Sequence, residues 1–135
     1  MSKLTEDEII IILMRHLENC GWKIDSHCLG QQHGNDIVAL KANTTLIVEA
    51  KGARASDRSP TKRRDQFDSG QIKTHLGKAL VKVLDEKHQN PKFSFAIAHL
   101  DDKDIRKSIG HLTKFFKTLE IKHFWVSADG TVIEE

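Results

Sequence analysis

The sequence has few of the residues on which disulfide-rich or zinc-stabilised proteins depend. Its 135 residues include two cysteines, two prolines, two tryptophans and no tyrosine. Two cysteines, Cys20 and Cys28, cannot build a disulfide framework, and their spacing from His16 and His27 matches no familiar zinc finger. Cysteine is commonly buried as a small hydrophobic residue, and we favour an ordinary structural role for both over a zinc site.

Long hydrophobic runs are also missing. No apolar stretch approaches the roughly 20 residues that a helix needs to cross a bilayer. The longest run, Ile9 to Met14, follows three acidic residues, whereas a secretory leader begins with positive charge. We therefore expect a soluble, cytoplasmic protein with no membrane partner.

The charge balance is nearly even, with a formal net charge of +2, which by itself implies no polyanionic partner. The distribution is more informative than the total. Six basic residues and one acid, Asp57, lie between Lys51 and Arg64. Because this stretch has no periodicity and contains Ser56, Ser59 and Pro60, we predict a flexible basic loop over residues 53–67.

The pattern of apolar residues predicts one α/β domain over residues 1–135, with a mixed central β-sheet flanked by helices. Thr5 and Glu8 form a capping box at the start of the first helix, and Gly21 ends it. The predicted order is α-β-β-β-α-β-α-β with a possible final strand. The later segments are strands Trp22–Leu29, Asp36–Leu40 and Thr45–Ala50, helix Ser69–Lys87, strand Phe93–Leu100, a helix with apolar positions from Ile105 to Leu119, and strands Lys122–Ser127 and Thr131–Glu134.

Two acids and a lysine stand out on the predicted hairpin. Glu49 and Lys51 project from the same face of their strand, and a symmetric turn at residues 42–43 places Asp36 opposite Glu49. Facing carboxylates repel each other unless a positive charge lies between them, and hard oxygen ligands suit Mg²⁺ or Mn²⁺. The alternative is a surface hairpin with three solvated charges, but the strand is otherwise apolar, which favours a site at its end.

These residues resemble the motif of the PD-(D/E)xK nuclease superfamily, whose members share the restriction-endonuclease-like fold. The matching elements are Asp36…Glu49-Ala50-Lys51, a first helix that carries Glu8, and Gln71-x-x-x-His75, which is similar to the Gln-x-x-x-Tyr element of RecB-like and Mrr-like members. Asn35 stands where the motif has proline. The resemblance covers roughly residues 8 to 85.

The resemblance implies metal-dependent hydrolysis of phosphodiester bonds. Asp36, Glu49 and the main-chain carbonyl of Ala50 would ligate the metal, and Lys51 would either activate the attacking water or stabilise the developing charge on the phosphate. Glu8 would reach metal-bound water, although it also fits the capping box, and Asp7 is the fallback. Gln71 would orient water or Lys51.

Several basic residues are candidates for binding phosphates near this site. Arg54, Arg58, Lys62, Arg63 and Arg64 follow Lys51 in the loop, while His75 and Lys78 belong to a polar stripe that runs from Gln71 to Lys82. Either group could instead be a solvated surface. The shortage of aromatic residues favours duplex or branched nucleic acid over single strands held by stacking.

The leading hypothesis is therefore a small Mg²⁺- or Mn²⁺-dependent DNA endonuclease. The alternatives are an RNA-cleaving nuclease of the toxin type, a non-catalytic nucleic-acid-binding module with the same fold, and a plain interaction domain. We expect so small a domain to need a second copy or a partner chain to cut both strands of a duplex.

Overall fold

The computed structural model describes residues 3–30, 32, 34–52 and 68–135. The predicted basic loop, and with it Arg54, Arg58, Lys62, Arg63 and Arg64, lies outside the described residues. The helices are α1 (Glu6–Asn19), α2 (Ser69–Gln89) and α3 (Lys103–Ile109), and the strands are β1 (Lys23–His27), β2 (Ile37–Lys41), β3 (Thr44–Lys51), β4 (Ser94–Leu100), β5 (Ile121–Val126) and β6 (Val132–Glu134).

Six strands of the described chain form one mixed sheet in the order β1-β2-β3-β4-β5-β6. Strands β1, β2 and β3 are antiparallel neighbours, β3, β4 and β5 run parallel, and β6 returns antiparallel at the edge. The parallel pairs are joined by connections that contain helices, because a parallel return needs a crossover. The predicted α/β class with a mixed central sheet is confirmed.

The helices cover both faces of the sheet. The ring of His16 in α1 contacts the ring of Phe124 in β5, with centroids 6.4 Å apart, and the ammonium group of Lys87 in α2 lies 5.9 Å from the ring of Phe95 in β4. Phe95 pairs with Ile121, whose side chain points away from that of Phe124 because side chains alternate along a strand. Helices α1 and α2 therefore pack on opposite faces.

The β2–β3 hairpin has the register that the sequence predicts. Its ladder runs from Lys41 opposite Thr44 to Ile37 opposite Val48. Ala42, in the turn, has a positive φ of 52°. The next positions beyond the ladder are Asp36 and Glu49, which therefore lie on the same face at the open end of the hairpin.

The third helix is shorter than predicted. Helix α3 ends at Ile109, and two turns of 3-10 helix follow, Gly110–Phe115 and Lys117–Leu119. Glycine is a poor helix former, and the Thr113 hydroxyl donates to the carbonyl of Gly110 at 3.1 Å, so the α-helical pattern is not continued there. Leu119, the last apolar position of the predicted helix, is 39% exposed.

None of the helices in the described ranges combines the length and the apolar character that crossing a membrane requires.

Helix α1 starts directly against the end of β3, at Gly52. A Cβ atom added at Gly52 would lie 2.6 Å from the carbonyl carbon of Thr5 and closer still to the backbone nitrogen of Glu6. Both of these are backbone atoms, so they cannot move aside as a flexible side chain could. Only glycine allows this approach, which places the N-terminus of α1 beside Lys51.

We expect Gly52→Ala to lower the free energy of unfolding by about 1–3 kcal/mol, because the new methyl group forces the helix away from the strand. Gly77→Ala is the matched control: a Cβ at Gly77 meets nothing within 4 Å, so alanine there should stabilise α2 by about 0.5–1 kcal/mol. Urea unfolding followed by circular dichroism measures both. Equal stability of Gly52→Ala and wild type would contradict the packing described here.

Candidate active site

Asp36 and Glu49 form a buried pair of carboxylates at the open end of the hairpin. They are 7% and 6% exposed, respectively. Asp36 follows a segment without regular structure and immediately precedes β2, whereas Glu49 lies within β3. The Oδ2 atom of Asp36 accepts a hydrogen bond from the backbone N–H of Ala50 at 2.8 Å, which ties Asp36 to the strand that carries Glu49.

The electrostatics of this pair favour a bound cation. Burial, together with the negative charges of Glu49 and Glu6, raises the pKa of Asp36 to about 8, against the opposing effects of the Ala50 N–H and Lys82. Asp36 therefore holds a proton at neutral pH when no cation is present. A cation between the carboxylates would replace that proton.

Two lysines approach Glu49 from different elements. The Nζ atom of Lys51, on the same strand, lies 3.8 Å from Oε1 of Glu49, and Nζ of Lys82, on α2, lies 2.9 Å from Oε2. Burial lowers the pKa of Lys82, but the hydrogen bond to Glu49 and the negative charges of the surrounding carboxylates together outweigh this and raise the pKa overall. Asp36, Glu49 and Lys51 are thus brought together as predicted, with a second ammonium group that the motif does not include.

Among the acids at the start of α1, Glu6 interacts electrostatically with the site, whereas the expected Glu8 completes the capping box. Burial and the nearby charge of Glu49 raise the pKa of Glu6, while Lys51 opposes this rise, so Glu6 interacts electrostatically with the site. Glu8 is exposed, and its Oε1 atom accepts from the backbone N–H and the hydroxyl of Thr5 at 3.0 and 3.1 Å. Asp7, the fallback, accepts from the backbone N–H of Gly30 at 2.8 Å.

Gln71 also serves as a helix cap. The side-chain Oε1 atom of Gln71 accepts a hydrogen bond from the backbone N–H of Asp68 at 3.0 Å, and the backbone N–H of Gln71 donates to Oδ1 of Asp68 at 2.8 Å. These two bonds form a capping box at the start of α2. Gln71 therefore has a structural role in the cap, and its role in orienting water or Lys51 stays a prediction.

The polar stripe on α2 divides into a side chain near the site and one at the surface. His75 is half-buried, and burial together with the positive charges of Lys51 and Lys78 lowers its pKa. It is therefore a neutral imidazole near Lys51 at physiological pH, not a cation for phosphate. Lys78 is exposed, as a phosphate-binding residue would be.

Helix α2 also holds the segment that precedes Asp36. Lys82 donates to the carbonyl oxygen of Gly34 at 3.2 Å. One turn further along, Glu86 accepts from the side-chain amide of Asn35, at 2.9 Å for Oε2, once the amide is oriented to donate. The spacing of Lys82 and Glu86, four residues apart on one helix face, is visible in the sequence, but nothing there shows that this face meets Asn35.

A buried histidine pair lies beside the site on the same face of the sheet. His99 is the strand neighbour of Lys51, and its Nδ1 atom lies 2.9 Å from Nε2 of His123. Burial, the proximity of His123 and the positive charge of Lys51 lower the pKa of His99, and burial lowers that of His123 to about 4. Both rings are therefore neutral at physiological pH.

The donor set fits Mg²⁺ or Mn²⁺ better than zinc. Within the described ranges, no three histidine, cysteine or acidic side chains are grouped closely enough to hold a metal ion on their own. Mg²⁺ needs only one or two carboxylates from the protein and keeps several waters. Asp36 and Glu49 meet that requirement, and the unsatisfied negative charge that raises the pKa of Asp36 is what such an ion would neutralise.

Comparison with known proteins identifies the fold and not the activity. No family model matches the chain, and no curated protein matches it. The structure is similar to the crystal structure of an XisH family protein from Nostoc punctiforme PCC 73102, with a TM-score of 0.59 and 16% sequence identity. The similarity covers 94% of this chain and 97% of the other, so the two share an overall architecture.

The raised pKa of Asp36 makes stability depend on pH in a defined direction. An unfolded aspartate loses its proton near pH 4, whereas Asp36 in the folded protein keeps it until about pH 8. The protonated group therefore stabilises the fold at low pH, and this contribution is lost progressively as the pH rises toward 8. Without divalent cations, the free energy of unfolding of Asp36→Asn should depend less on pH than that of wild type between pH 6 and 8, by at most about 1.4 kcal/mol per pH unit.

Urea unfolding in EDTA at several pH values measures this difference. At pH 8, Mn²⁺ should stabilise wild type more than Asp36→Asn. Asp25→Asn, on the exposed strand β1, controls for the substitution itself. Parallel pH profiles for wild type and Asp36→Asn would contradict the assignment.

Proposed function

We propose that this protein is a nuclease that hydrolyses phosphodiester bonds with the help of Mg²⁺ or Mn²⁺, and that DNA is its substrate. The observation that carries the proposal is the buried Asp36–Glu49 pair, with Lys51 beside it. Burying two facing carboxylates is energetically unfavourable unless a cation lies between them. The resemblance to the PD-(D/E)xK motif supports the same assignment.

Asp36 and Glu49 would hold the metal, with the main-chain carbonyl of Ala50 as a further ligand. When bound, such an ion lowers the pKa of a water ligand and offsets phosphate charge. The ammonium group of Lys51, 3.8 Å from Glu49, supplies a positive charge next to the position where negative charge develops on the phosphate. Glu6, at the start of α1, is an acceptor that can orient water entering the site.

The choice of a nucleic-acid substrate rests on the surroundings of the site. Lys78 is exposed on α2, the helix that also brings His75 toward Lys51. The chain has no tyrosine and few other aromatic residues, which disfavours a single-strand stacking platform and favours a duplex or branched nucleic acid. The shared architecture with the XisH family protein supports the fold on which the proposal is built, and the substrate is argued from the site alone.

We expect wild type to relax or linearise supercoiled plasmid in Mg²⁺ or Mn²⁺, and EDTA to abolish the reaction. Asp36→Asn and Lys51→Met should each lower the rate by at least about 100-fold, since one removes a metal ligand and the other removes charge stabilisation. Agarose gel assays on plasmid, linear duplex, branched DNA, single strands and RNA compare substrates. A folded wild type that cuts none of them would overturn the proposal, and cleavage of RNA alone would make it an RNA nuclease.

Glu6 and Glu8 should behave differently when the carboxylate is replaced by the isosteric amide. Glu8→Gln should retain nearly full cleavage, because glutamine also completes the capping box with Thr5. Glu6→Gln should lower the rate by about tenfold or more while the protein stays folded, because it removes a charge that acts on Asp36 and Lys51. If Glu8→Gln cleaved DNA more slowly than Glu6→Gln, Glu8 would be the acid that acts in the site.

A further inference from the structure

Lys82 takes up the position beside Glu49 that a metal ion would need. Its Nζ atom lies 2.9 Å from Oε2 of Glu49, closer than Lys51 lies to Oε1. It also lies 3.2 Å from the carbonyl oxygen of Gly34, two residues before Asp36. A carboxylate oxygen and a backbone carbonyl oxygen are the kinds of ligand that a hard divalent cation accepts.

The ammonium group also acts on the other members of the site. Its positive charge opposes the rise in the pKa of Asp36, and it does the same for Glu6 at the start of α1. One lysine therefore offsets part of the negative charge of three carboxyl groups. A bound metal ion would offset the same negative charge.

The fold provides a second position for this lysine. Glu86 follows Lys82 by four residues, one turn further along α2, and its negative charge already acts on Lys82. The side chain of Lys82 is 40% exposed, so it has room to change rotamer without disturbing the core. Lys82 can therefore leave Glu49 and keep an anionic partner.

We propose that Lys82 is an internal counter-ion that occupies the Glu49 side of the site in the cation-free protein and is displaced when a divalent cation binds. This inference rests on the proposed metal site at Asp36 and Glu49. Lys82 stabilises the carboxylates before the ion arrives, and it weakens the affinity for the ion because the two compete for the same oxygen. After displacement, the ammonium group remains at the rim of the site, where an incoming phosphate needs positive charge.

The test measures Mn²⁺ binding without any nucleic acid, by isothermal titration calorimetry and by the shift in melting temperature. Lys82→Met keeps most of the aliphatic stem and removes the charge. We expect it to bind Mn²⁺ about tenfold more tightly than wild type and to melt at a lower temperature in EDTA, because Glu49 has lost its cation. Lys82→Arg retains the charge and should bind Mn²⁺ as wild type does.

Lys73→Met is the matched control, because Lys73 is an exposed lysine on the same helix. It should leave the affinity for Mn²⁺ unchanged. Unchanged or weaker affinity in Lys82→Met, with wild type binding normally, would overturn the inference and leave the proposed metal site intact. If Glu49→Gln binds Mn²⁺ as tightly as wild type, or if no variant binds it, the metal site itself is wrong and the inference falls with it.

Discussion

The repulsion between Asp36 and Glu49 is the constraint around which the site is organised. The hairpin register places both carboxylates on one face, and burial removes most of the water that would screen them. The rest of the site compensates for this. The N–H of Ala50 donates to Asp36, lysines from β3 and α2 approach Glu49, and Asp36 keeps its proton to about pH 8. Each of these features reduces the electrostatic repulsion between Asp36 and Glu49.

The compensation also depends on where α2 crosses the sheet. Lys82 and Glu86 hold the residues just before Asp36, so the helix fixes the position of one acid and neutralises the other. On the opposite face, the close approach at Gly52 sets the start of α1 beside Lys51 and brings Glu6 toward the site. Two helices packed on different faces thus meet the site at the same end of β3.

The parts of this arrangement that depend on local chemistry could be predicted from the sequence. The capping box of Thr5 and Glu8, the turn at Ala42 and the alternation along β3 involve neighbours in the chain, and they led to the fold class and the hairpin register. Glu6 and Lys82 could not be recognised in this way. Three successive acids start α1, and only its packing against Gly52 decides which of them faces the site. Lys82 reaches Glu49 through tertiary packing, and Gln71 matched a motif but completes a cap.

The hairpin and the crossover differ in how far apart their partners lie in the chain, and this has a consequence for folding. Strands β2 and β3 are joined by a two-residue turn, and hairpins of this kind close within about 1–10 μs. Lys82 follows Glu49 by more than 30 residues, so its contact carries a larger loop-closure cost. A nascent hairpin therefore brings its two acids together before the ammonium group of Lys82 can reach them, so this part of the charge compensation depends on the later packing of α2.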